Sequence, residues 1–350
     1  MARTHTARTH TAGGRRARRA ALACVAAACL LLPAGAARPD AGSIAPAPAA
    51  AAAGDFAGRV AVGGRRLYLA CAGTGAPTVV LESGYRASAR VWREDMRAGP
   101  ASPPRVMVFA GVAAFTRVCA YDRPGTVAPR GDAPRPSRSD PVAQPRRAGD
   151  IVADLHALLH AAAVPGPYVL VGHSLGGLFV RLYASRHPDE VAGMVLVDPY
   201  SERLASHMTP AQWRALVAFN RRAGSDTVEP IPGYGDLETL PYGASDAVMR
   251  AAAAAAPLRP MPLAVLAHGR PFALPDPPPD LSAATLEADL RAANADLATL
   301  VPRARFFVAA GSGHDIHQDQ PTLVVEAIRQ LVEGVRHPDT WRDLAACCAR

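Results

Sequence analysis

Lysine is absent from this 350-residue chain; all 38 basic residues are arginine, set against 30 acidic ones for a net charge of +8. Such a balance can serve nucleic acid or an anionic surface. Aromatic residues make up only 5% of the chain, however, and no arginine stripe interleaves them, which sets nucleic acid aside. Much of the charge sits instead at the start of the chain, in Arg3, Arg8, Arg15, Arg16, Arg18 and Arg19. The apolar run behind it, Ala20 to Leu32, falls short of the roughly 20 residues that span a bilayer. Neither His-Glu-x-x-His nor Cys-x-x-Cys spacing occurs, so no metal centre is called for. There is no repeat of fixed period.

What the N-terminus does have is the order of an export signal. An arginine-rich stretch leads into the apolar run, and small residues follow at Ala34-Gly35-Ala36, which reads as a signal peptide over 1–37. The expectation is a secreted or cell-envelope protein, membrane-anchored through that segment where it is not cleaved, with no other membrane contact. Residues 38–56, rich in Ala, Pro and Gly, read as a flexible linker. Of six cysteines, Cys24 and Cys29 lie inside the signal, and cleavage leaves Cys71, Cys119, Cys347 and Cys348. An even number in an oxidising compartment invites pairing, with buried free thiols as the alternative for Cys71 and Cys119.

Apolar residues make up 49% of the chain, enough for a sizeable core. Val60 to Val62 and Leu67 to Cys71 read as strands joined at Gly63-Gly64, and Thr78 to Leu81 as a short buried strand. Val91 to Met96 has helical character, Thr116 to Tyr121 is strand, and residues 124–146 form a long loop rich in Pro and Arg. From there strand and helix alternate. Arg147 to Ala163 is helix, Tyr168 to Val171 strand, Leu175 to Arg186 helix and Val191 to Val197 strand. That alternation calls for a parallel sheet covered on both faces. The strand signal stops between Pro199 and about Pro260, where helical pieces suggest a small cap over 199–260. It resumes at Leu263 to Ala267, followed by a helix from Ser282, a strand from Arg305 to Ala309 and a helix from Pro321 to Val335. The domains are thus a core over 57–198 and 261–337, interrupted by the cap, and a tail over 338–350.

A serine hydroxyl is a weak nucleophile that needs a base, an acid to orient the base, and amide donors for the developing oxyanion. Gly172-His173-Ser174-Leu175-Gly176 lies between a strand and a helix. A sharp turn there demands small residues two before and two after the serine, exposes its hydroxyl, and turns the N–H of Leu175 toward an oxyanion. Val169 to Gly177 therefore resembles the nucleophile elbow of the α/β-hydrolase superfamily. Three more runs are similar to that family in the right order: Leu81-Glu82-Ser83-Gly84-Tyr85, Tyr121-Asp122-Arg123-Pro124-Gly125 and Gly313-His314-Asp315.

The resemblance implies a mostly parallel eight-stranded sheet with helices on both faces and a small helical cap. It implies a serine hydrolase without cofactor, with Ser174 as nucleophile and His314 as base. The N–H groups of Leu175 and Tyr85 would form the oxyanion hole. His173, His317 and Asp122 read as structural. For the acid, the family's usual place follows the strand Leu263 to Ala267, but that strand runs into His268-Gly269, with no carboxylate before Asp276. Asp198, ending the strand after the nucleophile helix, is preferred over Asp276. The second and fourth strands of this fold are neighbours, so a Cys71–Cys119 disulfide is expected. The predicted reaction is hydrolysis of a small-molecule carboxylic ester through an acyl-enzyme. Lactone, amide or carbon–carbon bond hydrolysis and cofactor-free perhydrolysis are open to the same residues. A non-catalytic binding protein of this fold would have lost one of them.

Overall fold

The computed structural model describes residues 54–99, 101–128, 134–226, 236–272 and 277–341. The predicted signal peptide, nearly all of the linker, Asp276, Cys347 and Cys348 lie outside the described residues.

A hairpin of β1 (Phe56–Val62) and β2 (Arg65–Ala72) opens the sheet, turning over Gly63-Gly64, and β3 (Thr78–Glu82) and β4 (Val118–Tyr121) follow. The chain then adds β7 (Tyr168–His173), β8 (Val191–Val197), β9 (Leu263–His268) and β10 (Arg305–Ala309). These eight strands form one sheet in the order β1-β2-β4-β3-β7-β8-β9-β10, antiparallel at β1-β2 and β2-β4 and parallel from β4 to β10. A separate ribbon pairs β5 (Val127–Ala128) with β6 (Arg135–Pro136).

The central strands are apolar on both faces because both are covered. Val79, Leu81, Val169, Val171, Val195 and Val197 join one apolar cluster with Trp92 and with Val324, Ile328 and Leu331 of the helix Pro321–Arg336. Val80, Leu170, Met194 and Leu196 join the other, against Ile151 and Leu155 of the helix Ala148–Ala161 and Leu178 and Phe179 of the helix Leu175–Arg186. Alternate residues thus feed opposite layers, as the two-residue period of a strand requires. Each fully buried Leu or Val contributes about 1.5–3 kcal/mol.

Between β8 and β9 come the helices Leu204–His207, Pro210–Asp226 and Tyr242–Ala255. The first two do not close on the main core: Leu204, Met208 and Leu216 cluster with Leu281, Leu286 and Ala293, the last two on the helix Ala283–Leu297 between β9 and β10. Met249 of Tyr242–Ala255 packs instead into the main core. Among the described residues no helix is long and apolar enough to cross a membrane.

Cys71 and Cys119 are directly opposed in the β2-β4 register and joined by a disulfide, with Cα atoms 4.1 Å apart and 48 residues of sequence separation. Closing a loop of that length in the unfolded chain stabilises the fold by about 2–4 kcal/mol. The Cys71→Ala/Cys119→Ala protein is expected to keep its far-ultraviolet circular dichroism and lose several degrees of unfolding midpoint. An unchanged midpoint, or two titratable thiols in the unreduced wild type, would contradict the bridge.

Candidate active site

Ser174 stands where β7 gives way to the helix Leu175–Arg186, with φ 51° and ψ −123°. A non-glycine residue in such a conformation costs about 1–3 kcal/mol unless its surroundings fix it. Here the Ser174 N–H donates to the Val197 carbonyl (3.0 Å), and its own carbonyl accepts from the N–H of Gly177 (2.9 Å) and of Tyr200 (2.8 Å). A Cβ on Gly172 would come within 2.6 Å of the Gly176 carbonyl oxygen, and one on Gly176 within 2.6 Å of that of Glu82. The turn therefore closes only with glycine at both places. It holds Ser174 at the carboxyl end of β7, beside the carboxyl ends of β3 and β8, where open α/β sheets form their crevices.

Asp198 follows β8 on the neighbouring strand, also at positive φ (43°), and is 3% exposed. Its Oδ2 accepts from His314 Nδ1 at 2.5 Å. His268 Nδ1 reaches both of its oxygens at 2.8 Å, the His268 N–H donates to Oδ1 at 3.0 Å, and Asn294 Nδ2 lies 3.4 Å from Oδ1. An ionised carboxylate can only accept, so each imidazole carries its proton on Nδ1. Burial works to raise the Asp198 carboxyl, but the hydrogen bonds from His268 and His314 prevail and hold it well below the usual carboxylate range.

The two histidines differ in what lies beyond. His268 Nε2 meets Glu287 Oε2 at 2.9 Å, and Glu287 Oε1 accepts the N–H of Phe272 at 2.6 Å. Burial opposes charge on His268, yet its carboxylate partners Asp198 and Glu287 push it up to about 9. His314 is raised as well, against burial, by its hydrogen bond to Asp198 and that group's charge. His173, next to Ser174, sets its Nε2 3.1 Å from the His314 carbonyl oxygen, so it fastens the histidine loop to the elbow. Burial and the neighbouring His317 and His314 hold His173 well below the ordinary imidazole range. Burial and His314 take His317 down to about 3.

On the other side of Ser174 lies the turn after β3. A Cβ on Gly84 would touch Ser174 Cβ at 3.1 Å, which brings the Gly84-Tyr85 peptide against the serine. Buried Arg123 clamps that turn, its NH1 donating to the Ser83 carbonyl (2.8 Å) and NH2 to that of Gly84 (2.6 Å). Its charge is met by Glu82 and by Glu238, which takes Nε at 2.6 Å. Glu238 also accepts the N–H of Arg86 at 2.6 Å, so Tyr85 is held from both sides. Leu175 opens its helix, where N–H groups have no intrahelical acceptor. Asp122 is occupied elsewhere, accepting from the Ala89 N–H (2.9 Å) and from Arg138 Nε (2.7 Å).

Of the residues singled out in the sequence, Asp198 and His314 are hydrogen-bonded, Ser174 and Leu175 stand on the neighbouring strand end with the Gly84-Tyr85 turn against the serine, and Asp276 lies outside the described residues. His268, Glu287, Asn294 and the Arg123 clamp were not anticipated. Glu287 and Asn294 lie seven apart on one helix, which puts them on one face. His268 occupies the strand end where a carboxylate was sought. That coincidence of a buried strand-end histidine with a helix face carrying Glu and Asn is the signal that could have found them.

Residues 77–227 match the model of a family described as alpha/beta hydrolase fold. A pimeloyl-(acyl-carrier protein) methyl ester esterase of Chromobacterium violaceum is 34% identical over 53% of this chain and 64% of its own length. Lipase LipV of Mycobacterium tuberculosis is 38% identical over 29% of this chain and 40% of its own. The chain spans 12% to 64% of the length of the curated relatives it matches. Among solved structures, haloalkane dehalogenase DatA of Agrobacterium tumefaciens C58 superposes with a TM-score of 0.52 at 16% identity, over 82% of this chain and 99% of the other, a likeness of fold.

The charge on His268 yields a pH test. Raised from 6.5 to about 9, it contributes stability that is full below pH 6.5 and lost as pH rises through about 9. His268→Asn leaves Glu287 without its buried partner and should cost roughly 1–3 kcal/mol at pH 6.5. Urea unfolding at pH 6.5 and pH 10 should show that gap closing at the higher pH; a gap independent of pH would mean His268 is neutral in the fold.

Proposed function

We propose that the protein, which has the α/β-hydrolase fold, is a serine hydrolase cleaving a carboxylic ester through an acyl-enzyme. The observation that carries this reading is the His314 Nδ1–Asp198 bond of 2.5 Å, on the strand end next to a serine in an elbow conformation. Relatives named as an esterase and a lipase support the hydrolase class and lend weight to an ester as substrate.

In this mechanism the Ser174 hydroxyl oxygen attacks the ester carbonyl carbon as its proton passes to His314 Nε2. The carbonyl oxygen becomes an oxyanion facing the N–H groups of Leu175 and Tyr85, donors fixed before the reaction by the elbow and by the Arg123 clamp. Collapse of the tetrahedral intermediate breaks the carbon–oxygen bond, and the departing alcohol takes its proton from His314. Water then attacks the acyl-enzyme with His314 again as base, releasing the acid and restoring Ser174. Asp198 keeps the proton of His314 on Nδ1, and so Nε2 open, throughout. No metal or cofactor enters any of these steps.

The reading includes export by the arginine-rich N-terminal segment. The Cys71–Cys119 bridge supports it, since such bridges persist in oxidising compartments.

A fluorophosphonate probe and a series of p-nitrophenyl esters test the proposal. Wild type should be labelled and turn over at least one ester; Ser174→Ala should do neither, and Asp198→Asn should lose about 10⁴ in kcat. Equal labelling of Ser174→Ala would sink it. His314 must be neutral to act as base, and its raised pKa places the acid limb of kcat/KM above pH 6.5. A limb well below that value would remove His314 as the base.

A further inference from the structure

A second cluster of histidines lies away from Ser174, and the proposed reaction makes no use of it. His156 and His160 stand one turn apart on the helix Ala148–Ala161, on the same face. Both aim Nε2 at a single atom, Oε1 of Glu190, at 3.1 Å and 2.9 Å. Glu190 ends the short 3₁₀ turn Pro188–Glu190 that leads into β8, and its other oxygen accepts the Tyr183 hydroxyl. The ring of His187 stacks flat on that of His156, centroids 3.9 Å apart and planes within 10°, which fixes the imidazole in plane. We propose that His156, His160 and Glu190 form a binding site for a divalent ion of the zinc class.

The donor set selects that class. Two imidazole nitrogens and one carboxylate oxygen suit a borderline ion such as Zn²⁺, whereas Mg²⁺ and Ca²⁺ prefer oxygen throughout. The three donor atoms already lie within 4.8 Å of one another. Bonds of about 2.0–2.1 Å in a tetrahedron put neighbouring donor atoms about 3.3 Å apart. The two histidine–Glu190 spacings, 3.1 Å and 2.9 Å, need to open by only a few tenths of an ångström. Ligation uses the Nε2 lone pair, so the imidazole proton directed at Glu190 would sit on Nδ1 instead. Tyr183 would stay as the outer partner that aims the carboxylate, a role ligating carboxylates need filled. More than half of the His160 side chain is exposed, so an ion can enter and water can take the fourth position.

The site lies at the opposite edge of the sheet from the chemistry. Glu190 immediately precedes β8 and Asp198 immediately follows it, so the seven-residue strand separates them by about 25 Å. Such an ion would tie the helix Ala148–Ala161 to the turn before β8 and act on stability.

The test uses the full-length protein, stripped with chelator, titrated with Zn²⁺ in a calorimeter and followed in parallel by thermal unfolding. One saturable equivalent is expected, raising the unfolding midpoint by several degrees. His160→Ala and Glu190→Gln should each weaken it at least tenfold and abolish the midpoint shift, with fluorophosphonate labelling unchanged. No saturable binding by wild type would overturn the proposal. So would wild-type affinity in both variants, which would assign the ion to other histidines, such as the buried pair His173 and His317. Because the readouts are heat and melting, a failure of the hydrolase reading leaves this result intact.

Discussion

One buried carboxylate organises the carboxyl edge of this sheet. Asp198 sits almost out of contact with water, where an unpaired charge would cost several kcal/mol. It is tolerable only because donors converge on it from three other parts of the chain: His268 at the end of β9, His314 in the loop after β10, and Asn294 on the helix Ala283–Leu297. The dependence runs both ways. The anion fixes the tautomers of both histidines, and the histidines fix the strand-end geometry that lets Asp198 adopt positive φ. Removing one donor would leave charge uncompensated, so the assembly forms as a unit.

A buried cation does the corresponding work on the other side of Ser174. Arg123 is 2% exposed and carries Glu82 and Glu238 on its guanidinium while two further N–H groups hold the carbonyls of Ser83 and Gly84. Replacing such a network with apolar residues is often neutral for stability. Its value here is positional, since apolar side chains could not hold two successive carbonyls of one turn. In the strand order β4-β3-β7-β8-β9 the serine strand lies between the cation and the anion. One fixes peptide N–H groups and the other fixes an imidazole, and Ser174 stands between two preorganised halves.

Much of the sheet can be read directly from the residues. Val191–Val197 and Leu175–Arg186 occupy the very bounds their apolar runs suggest, because a strand covered on both faces and a helix beginning at an elbow leave strong local marks. The elbow is legible for a steric reason, as Gly172 and Gly176 have no space for a side chain. The helix Val108–Ala113, short and interrupted by Gly111, has no marked periodicity in the sequence. In the fold the missing Cβ of Gly111 would lie 2.6 Å from Val325 Cγ2, so glycine is what lets that helix pack closely. The cap was read as one piece over 199–260, whereas its first helices close on Ala283–Leu297 and its last on the main core. Least legible were the charge partners. Arg123 and Glu238 are 115 residues apart and Asp198 and His268 are 70, and pairing at such distances leaves no periodic trace.

The exchange at the ends of β8 and β9 has a consequence for how the candidate site responds to its surroundings. At the end of β9, where the sequence reading sought an acid, the chain has His268, and the buried carboxylate follows β8, one strand closer to Ser174. At β8 it gains His268 behind it, and His268 hands the interaction on to Glu287. Glu287 and Asn294 belong to the helix whose Leu286 and Ala293 pack against Leu204, Met208 and Leu216. The orientation of His314 is therefore tied, through Asp198, to a helix whose other contacts lie in the segment inserted after β8. A displacement of that segment cannot leave the carboxylate untouched, because two of its hydrogen-bonding connections run through the same helix. The position of the carboxylate at β8 thus couples the hydrogen-bonded histidines at this end of the sheet to the segment inserted after β8.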